Sequence, residues 1–246
     1  MNILAYIIIN NMTFYKVIRK VRLLPYVYGV EHIDVLKNHC IIDIETTGLC
    51  GNRDIIICYG LLDIEKERVV IYFLEEPRKH NEFRKFLRTL TLSLIRRKRV
   101  WAYNKIFEEI FLNVDGLMEL LCYRDLYQIK GRAKMDYVYS HVMFELAKMF
   151  KDNKEFMDIL KWIFEECKKD KTPNCSIPDV YIYEWVFNNN DVGKMKIIEH
   201  NYADLLKEYI ILYYMAYKTF NILEEIFKEE RYVLGEFVKR VEKIFM

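Results

Sequence analysis

Between residues 39 and 74 the chain carries three short apolar runs, CIIDIET, DIIICYGLLDI and RVVIYFL, separated only by residues 48–53 and 65–68. Apolar segments this short, bounded by turns this short, pair as a three-stranded antiparallel meander, because a parallel return needs a crossover of a dozen residues or more. Phe83, Phe86, Leu87, Leu90 and Leu94 then recur at helical spacing, and RVWAYN reads as a further strand. The order is β-β-β-α-β. A helix from about 105 to 121 with a weak point at Asp115-Gly116, a short strand around CYRDLY and an almost wholly helical remainder complete the expected fold. With only 8 Gly and 4 Pro against 52% hydrophobic residues, the 246-residue chain excludes a turn-rich sandwich, disorder and a coiled rod. The expectation is an α/β domain: a five-stranded mixed sheet, three antiparallel strands then two parallel, flanked by helices, with a helical C-terminal third.

Residues 1–38 are read as an N-terminal basic extension, 39–218 as the domain, and 219–246 as a C-terminal helical tail. The first eleven residues are expected to be dispensable. The apolar start LAYIII lacks a basic flank and is interrupted by Asn10 and Asn11, far short of the roughly 20 residues a membrane span requires, so neither signal peptide nor span is expected. Six cysteines form no C-x-x-C pair, which suggests reduced thiols and a cytoplasmic location.

Charge is uneven although the formal net charge is only +2. Residues 78–105 hold ten Lys and Arg against the single acid Glu82. The segment is either a solvated helix face or a surface that tracks phosphates. The run Arg96 to Arg99 enters the strand that ends at Asn104, so its charge belongs at the opposite end of that strand from any chemistry there.

Asp43 and Glu45 lie two apart in CIIDIETTGL, and side-chain alternation sends both carboxylates to one face of the strand. Burying two acids beside Ile41, Ile42 and Ile44 is costly unless cations compensate, so a metal site is the natural reading. The same D-I-E recurs at Asp63 and Glu65, but where a solvated turn begins. In WAYNKIFEEIFL, Asn104 and Glu108 bracket a strand-to-helix turn, with either Glu108 or Glu109 free to face the sheet. In EHNYADLLKEY, His200 and Asp204 are four apart and share a helix face. Four acids from a core strand, a strand-to-helix junction and a later helix, with a histidine one turn from the last acid, fit a two-metal phosphoryl-transfer site. Carboxylate ligands suit two divalent cations, Mg²⁺ or Mn²⁺, and the lack of a His₂ or Cys cluster argues against zinc.

The segments DIETTGL, YNKIFE and IPDVYIYEWVFNNNDVGKMKIIEHNYADLL together resemble the YprB-type ribonuclease H-like family, within the DnaQ-like (DEDD) 3′–5′ exonuclease superfamily. The resemblance covers about residues 30–215. It implies a ribonuclease H-like fold and a DNA or RNA 3′ end as substrate. It further implies that Asp43 bridges two divalent ions, Glu45 holds the ion that carries the attacking water, Glu108 supports the second, Asp204 ligates the first, and His200 accepts the water's proton. Thr46, Thr47, Gly48, Leu49, Asn104 and Asn201 would lie along the substrate. The second motif departs from the common Y-N-G-x-x-F-D, being one residue shorter and ending in Phe107-Glu108. A structure-selective endonuclease on the same fold, or a non-catalytic nucleic-acid-binding or assembly module, are the competing expectations.

Overall fold

A computed structural model describes residues 2–9, 12–25, 36–51, 53–120, 135–170, 181–182, 185 and 191–230, with side chains described from Phe14 to Lys218. The strands are β1 (Asn2–Ile9), β2 (Met12–Lys20), β3 (His39–Thr46), β4 (Ile56–Asp63), β5 (Arg68–Leu74), β6 (Arg99–Ala102) and β7 (Met118–Glu119). The α-helices are α1 (His80–Ile95), α2 (Lys105–Leu112), α3 (Met135–Met149), α4 (Lys154–Cys167) and α5 (Asp191–Glu230). One mixed sheet runs in the order β1-β2-β5-β4-β3-β6-β7. The β3–β6 and β6–β7 pairs are parallel and the rest antiparallel, so the expected three-plus-two arrangement lies inside a seven-stranded sheet.

Three differences from the expected elements have local causes. The helix expected to reach residue 121 stops at Leu112, where Asn113 adopts a left-handed conformation (φ 52°) and its N–H caps the carbonyl of Glu109. The Glu109 carboxylate then accepts N–H bonds from Gly116 and Leu117, and Gly116 at φ +99° makes a turn that other residues resist. The second parallel strand among the described residues is Met118–Glu119, and the expected CYRDLY strand, residues 122–127, lies outside the described residues. Within the segment set apart as a basic extension, β1 and β2 form a hairpin on the sheet edge, and β2 pairs with β5 from Phe14↔Leu74 to Lys20↔Arg68. Arg19 is drawn in by a bidentate pair with Glu199. Finally, α5 continues without a break across residue 218 to Glu230.

The two sheet faces carry different helices. Tyr59 bonds Thr91 of α1, and Phe14 packs on Phe83 and Phe86, so these residues define the α1 face. On the other face α5 is buried almost continuously from Ile197 to Met215 because it lies between the sheet and helices α3 and α4. Among the described residues no helix is long and apolar enough to cross a membrane. Among the described residues Cys40, Cys58 and Cys167 are buried cysteines outside any disulfide, and Cys50, also outside any disulfide, is half-buried.

Candidate active site

Period-two alternation in β3 puts Ile41, Asp43 and Glu45 on the α5 face of the sheet. A register shift follows immediately at Glu45/Thr46, turning the chain out of the ladder into the 46–55 loop. That loop is held by its own hydrogen bonds. The Thr46 hydroxyl donates to the Gly48 carbonyl at 2.6 Å, the Thr47 hydroxyl accepts from the Ile55 N–H, and the Asp54 carboxylate accepts from the Cys50 N–H. Leu49, within it, is 88% exposed, an unusual state for a leucine.

Gly60 of β4 stands directly opposite Asp43 in the antiparallel register. A Cβ there would lie 2.1 Å from Asn201 Oδ1 and 2.6 Å from Leu205 Cδ1, so the missing side chain is what lets α5 approach the sheet. Through that approach Asn201 Nδ2 donates to Asp43 Oδ2 at 2.7 Å and to the Asp43 carbonyl at 3.2 Å. Asn201, expected along the substrate, thus grips the first carboxylate.

The remaining residues of α5 follow at helical spacing. His200 Nδ1 meets Asp170 Oδ2 at 2.8 Å, just beyond the end of α4, and its Nε2 lies 3.5 Å from Asp204 Oδ2. Asp204 Oδ1 accepts from Lys207 Nζ at 2.9 Å, and the same ammonium reaches Asp136 of α3 at 2.8 Å. One ligand atom each from Glu45, His200 and Asp204 falls within a 4.8 Å span.

Glu108 comes from the first turn of α2. Asn104 begins α2 without a side-chain cap, leaving its exposed amide unused by the helix, while its carbonyl accepts from the N–H groups of Phe107 and Glu108. Glu108 is 3% exposed and turned inward, whereas Glu109 serves the turn at 116–117, which resolves the choice that the spacing left open.

Electrostatics follow from burying so many acids together. Burial, then the charge of Asp204, pushes Asp43 up to about 7. Glu45 is driven well above the ordinary range by burial and by Asp43, and Glu108 likewise by burial and Asp43. Asp204 is raised by burial despite His200 and Lys207. Burial disfavours the charged form of His200, but its bond to Asp170 and the charge of Asp204 outweigh this and raise it overall. Glu45 Oε1, Glu108 Oε2 and His200 Nε2 are buried without a hydrogen-bond partner. Unmet carboxylate oxygens in one buried acidic site are donors that a hard divalent cation satisfies, so these residues fit such an ion.

The second D-I-E is spent elsewhere. Lys98 bonds Asp63 at 2.7 Å and Glu65 at 2.8 Å, and Asp63 pairs in register with Cys40, three residues along β3 from Asp43. Much of the basic segment is also structural: Arg84 donates to the carbonyls of Gly51 and Ile110, and Arg88 to that of Asn113, all near the carboxyl end of α2 or the 46–55 loop. Arg96 and Arg97 remain exposed.

Asp170, Lys207 and Glu208 escaped the sequence reading. Asp170 sits in a polar loop with nothing to mark it. Glu208 extends the stripe of His200 and Asp204 by another four residues, a helical signal that was present.

Among curated proteins nothing matches the chain. The family model RNase_H_2, described as RNase_H superfamily, matches residues 40–216, from the start of the acidic strand to the buried part of α5. This span contains every acid of the site, and the chain belongs to the RNase H superfamily.

Proposed function

We propose that the protein is a cytoplasmic, divalent-metal-dependent 3′–5′ exonuclease of the YprB type within the DnaQ-like (DEDD) group, acting on DNA or RNA. The observation that carries this reading is the grouping of ligand atoms of Glu45, His200 and Asp204 from β3 and α5, with Asp43 acting on Glu45 and Glu108 and with buried oxygens of Glu45 and Glu108 left unmet.

Asp43, Glu45, Glu108 and Asp204 would hold two Mg²⁺ or Mn²⁺ ions. When bound, such ions stabilise charge on a phosphoryl group and make a water easier to deprotonate. In the tautomer that donates Nδ1–H to Asp170, His200 directs its Nε2 lone pair into the site, the state a proton acceptor requires. Asn201 fixes the rotamer of Asp43. Exposed Leu49, four residues after Glu45, would pack on a terminal base, and the Asn104 amide, unused by α2, would bond the last nucleotide. Thr46 and Thr47 stiffen the loop that presents Leu49.

The test is digestion of end-labelled DNA and RNA oligonucleotides, with free or blocked 3′ ends, in Mg²⁺ or Mn²⁺. The wild type should shorten free ends stepwise and spare blocked ones, and Asp43→Ala should be inactive. Asp63→Ala and Glu65→Ala should retain the rate, since that pair belongs to Lys98. Internal cuts in blocked substrates would make the protein an endonuclease, and binding without hydrolysis would make it an assembly module.

A further inference from the structure

We propose that Glu208 is an additional metal-ligating carboxylate, serving the side of the site formed by Asp43 and Glu108. The inference rests on the metal-dependent reading above and deepens it. Glu208 lies on α5 one turn beyond Asp204, is fully buried, and has no hydrogen-bond partner at either Oε1 or Oε2. A glutamate in that condition is costly in any protein, and three arrangements could relieve it. A cationic side chain is the first, but the neighbouring Lys207 is committed to Asp204 and Asp136. Protonation is the second, yet a neutral carboxylic acid keeps a carbonyl oxygen that needs a donor, and no donor reaches either oxygen of Glu208. The third is a cation shared with other carboxylates. A cation satisfies carboxylate lone pairs that no N–H or O–H reaches, which is the state of both Glu208 oxygens.

The surroundings of Glu208 point to one side of the site. After burial, the charges acting on it are, in order, Asp43, Glu108, Asp204 and Glu45. Glu108 in turn feels Asp43 before any other charge and has its own unmet buried oxygen. Glu45, His200 and Asp204 already bring their ligand atoms together as one group. Asp43 is the first charge felt by both Glu108 and Glu208, so an ion position beside Asp43 would have three carboxylates instead of two.

The experiment is Mn²⁺ titration of the full chain, followed by calorimetry and by the paramagnetic resonance signal of free Mn²⁺, for wild type, Glu208→Gln and Glu208→Asp. Gln keeps the shape and removes the charge; Asp keeps the charge and shortens the reach. Glu208→Gln should melt at or above the wild-type temperature without metal, lose at least tenfold in affinity for one ion, and show a smaller rise in melting temperature with Mn²⁺. Glu208→Asp should fall between the two. Unchanged Mn²⁺ affinity in both variants, with a wild type that binds the ion, overturns the role of Glu208 alone. A wild type that binds no Mn²⁺ overturns the metal-dependent reading itself.

Discussion

Gly60→Ala probes how the sheet admits α5, and its effect can be worked from distances. The added Cβ would lie 2.1 Å from Asn201 Oδ1, about 1.3 Å inside ordinary contact, and 2.6 Å from Leu205 Cδ1. Leu205 can yield by rotating a terminal methyl group. Asn201 cannot yield cheaply, because its amide is fully buried and tied to the side chain and carbonyl of Asp43. Either the amide leaves Asp43 or α5 moves away by about an ångström. Overpacking of this kind costs about 1–3 kcal/mol, which for a chain of this size lowers the melting temperature by roughly 2–12 °C. A displacement of about 1 Å in a catalytic constellation costs on the order of 10² in rate. Thermal denaturation and the oligonucleotide assay should both register the change. The double variant Gly60→Ala with Asn201→Ala should recover much of the lost stability and none of the rate, since Asp43 is then left without its donor. Wild-type melting and turnover in Gly60→Ala would refute the close-approach argument.

Two further outcomes are expected. Neutralising Arg96, Arg97 and Arg99 should weaken substrate binding and flatten its salt dependence with little change in saturated turnover, because Arg99 is paired in register with His39, four residues from Asp43, about 13 Å at the rise of a strand; an unchanged salt slope in a binding titration would return the segment to a solvated turn. In metal-free protein, Asp43, raised to about 7, and His200, raised by Asp170 and Asp204, both bind protons more tightly folded than unfolded. Stability should therefore fall as pH rises from about 4 through 7 and into the titration of His200, and Mn²⁺ should remove that slope, as melting curves across pH will test.

The sheet was legible because its runs were short, apolar and closely spaced, and the Asp43–Glu45 pair because two acids on one face of a core strand have few peaceful explanations. What misled the reading was periodicity carried past a helix end. Val114, Leu117 and Leu120 are buried and continue the helical spacing of Phe111, but they do so from an extended segment fixed by Asn113 and Glu109. The edge hairpin was masked by its charge. Four bases and no acid over residues 1–30 look like a solvated extension until Arg19 finds Glu199, 180 residues away. Lys98, counted among bases available to phosphate, is consumed by the very D-I-E that served as the control. Pairings between distant segments are invisible to composition and spacing, and they decide which charges remain for a substrate.

The same accounting explains how acids this crowded are aimed. Asn201 engages one oxygen of Asp43, and Lys207 engages Oδ1 of Asp204, leaving in each case the other oxygen to serve the site. Asp170 does the corresponding work for His200, engaging Nδ1 and leaving Nε2. Two of these three orienting groups sit on α5 itself, and Lys207 extends the hold to Asp136 of α3. A helix pressed onto the sheet at Gly60 can therefore present two site residues in fixed rotamers while it holds the carboxylate of the facing strand. Orientation by a second layer of donors is what keeps ligand geometry within the few tenths of an ångström that metal-dependent chemistry demands. It follows that losing Asn201 or Asp170 should degrade turnover more than ion affinity, whereas losing Glu45 or Asp204 should degrade both.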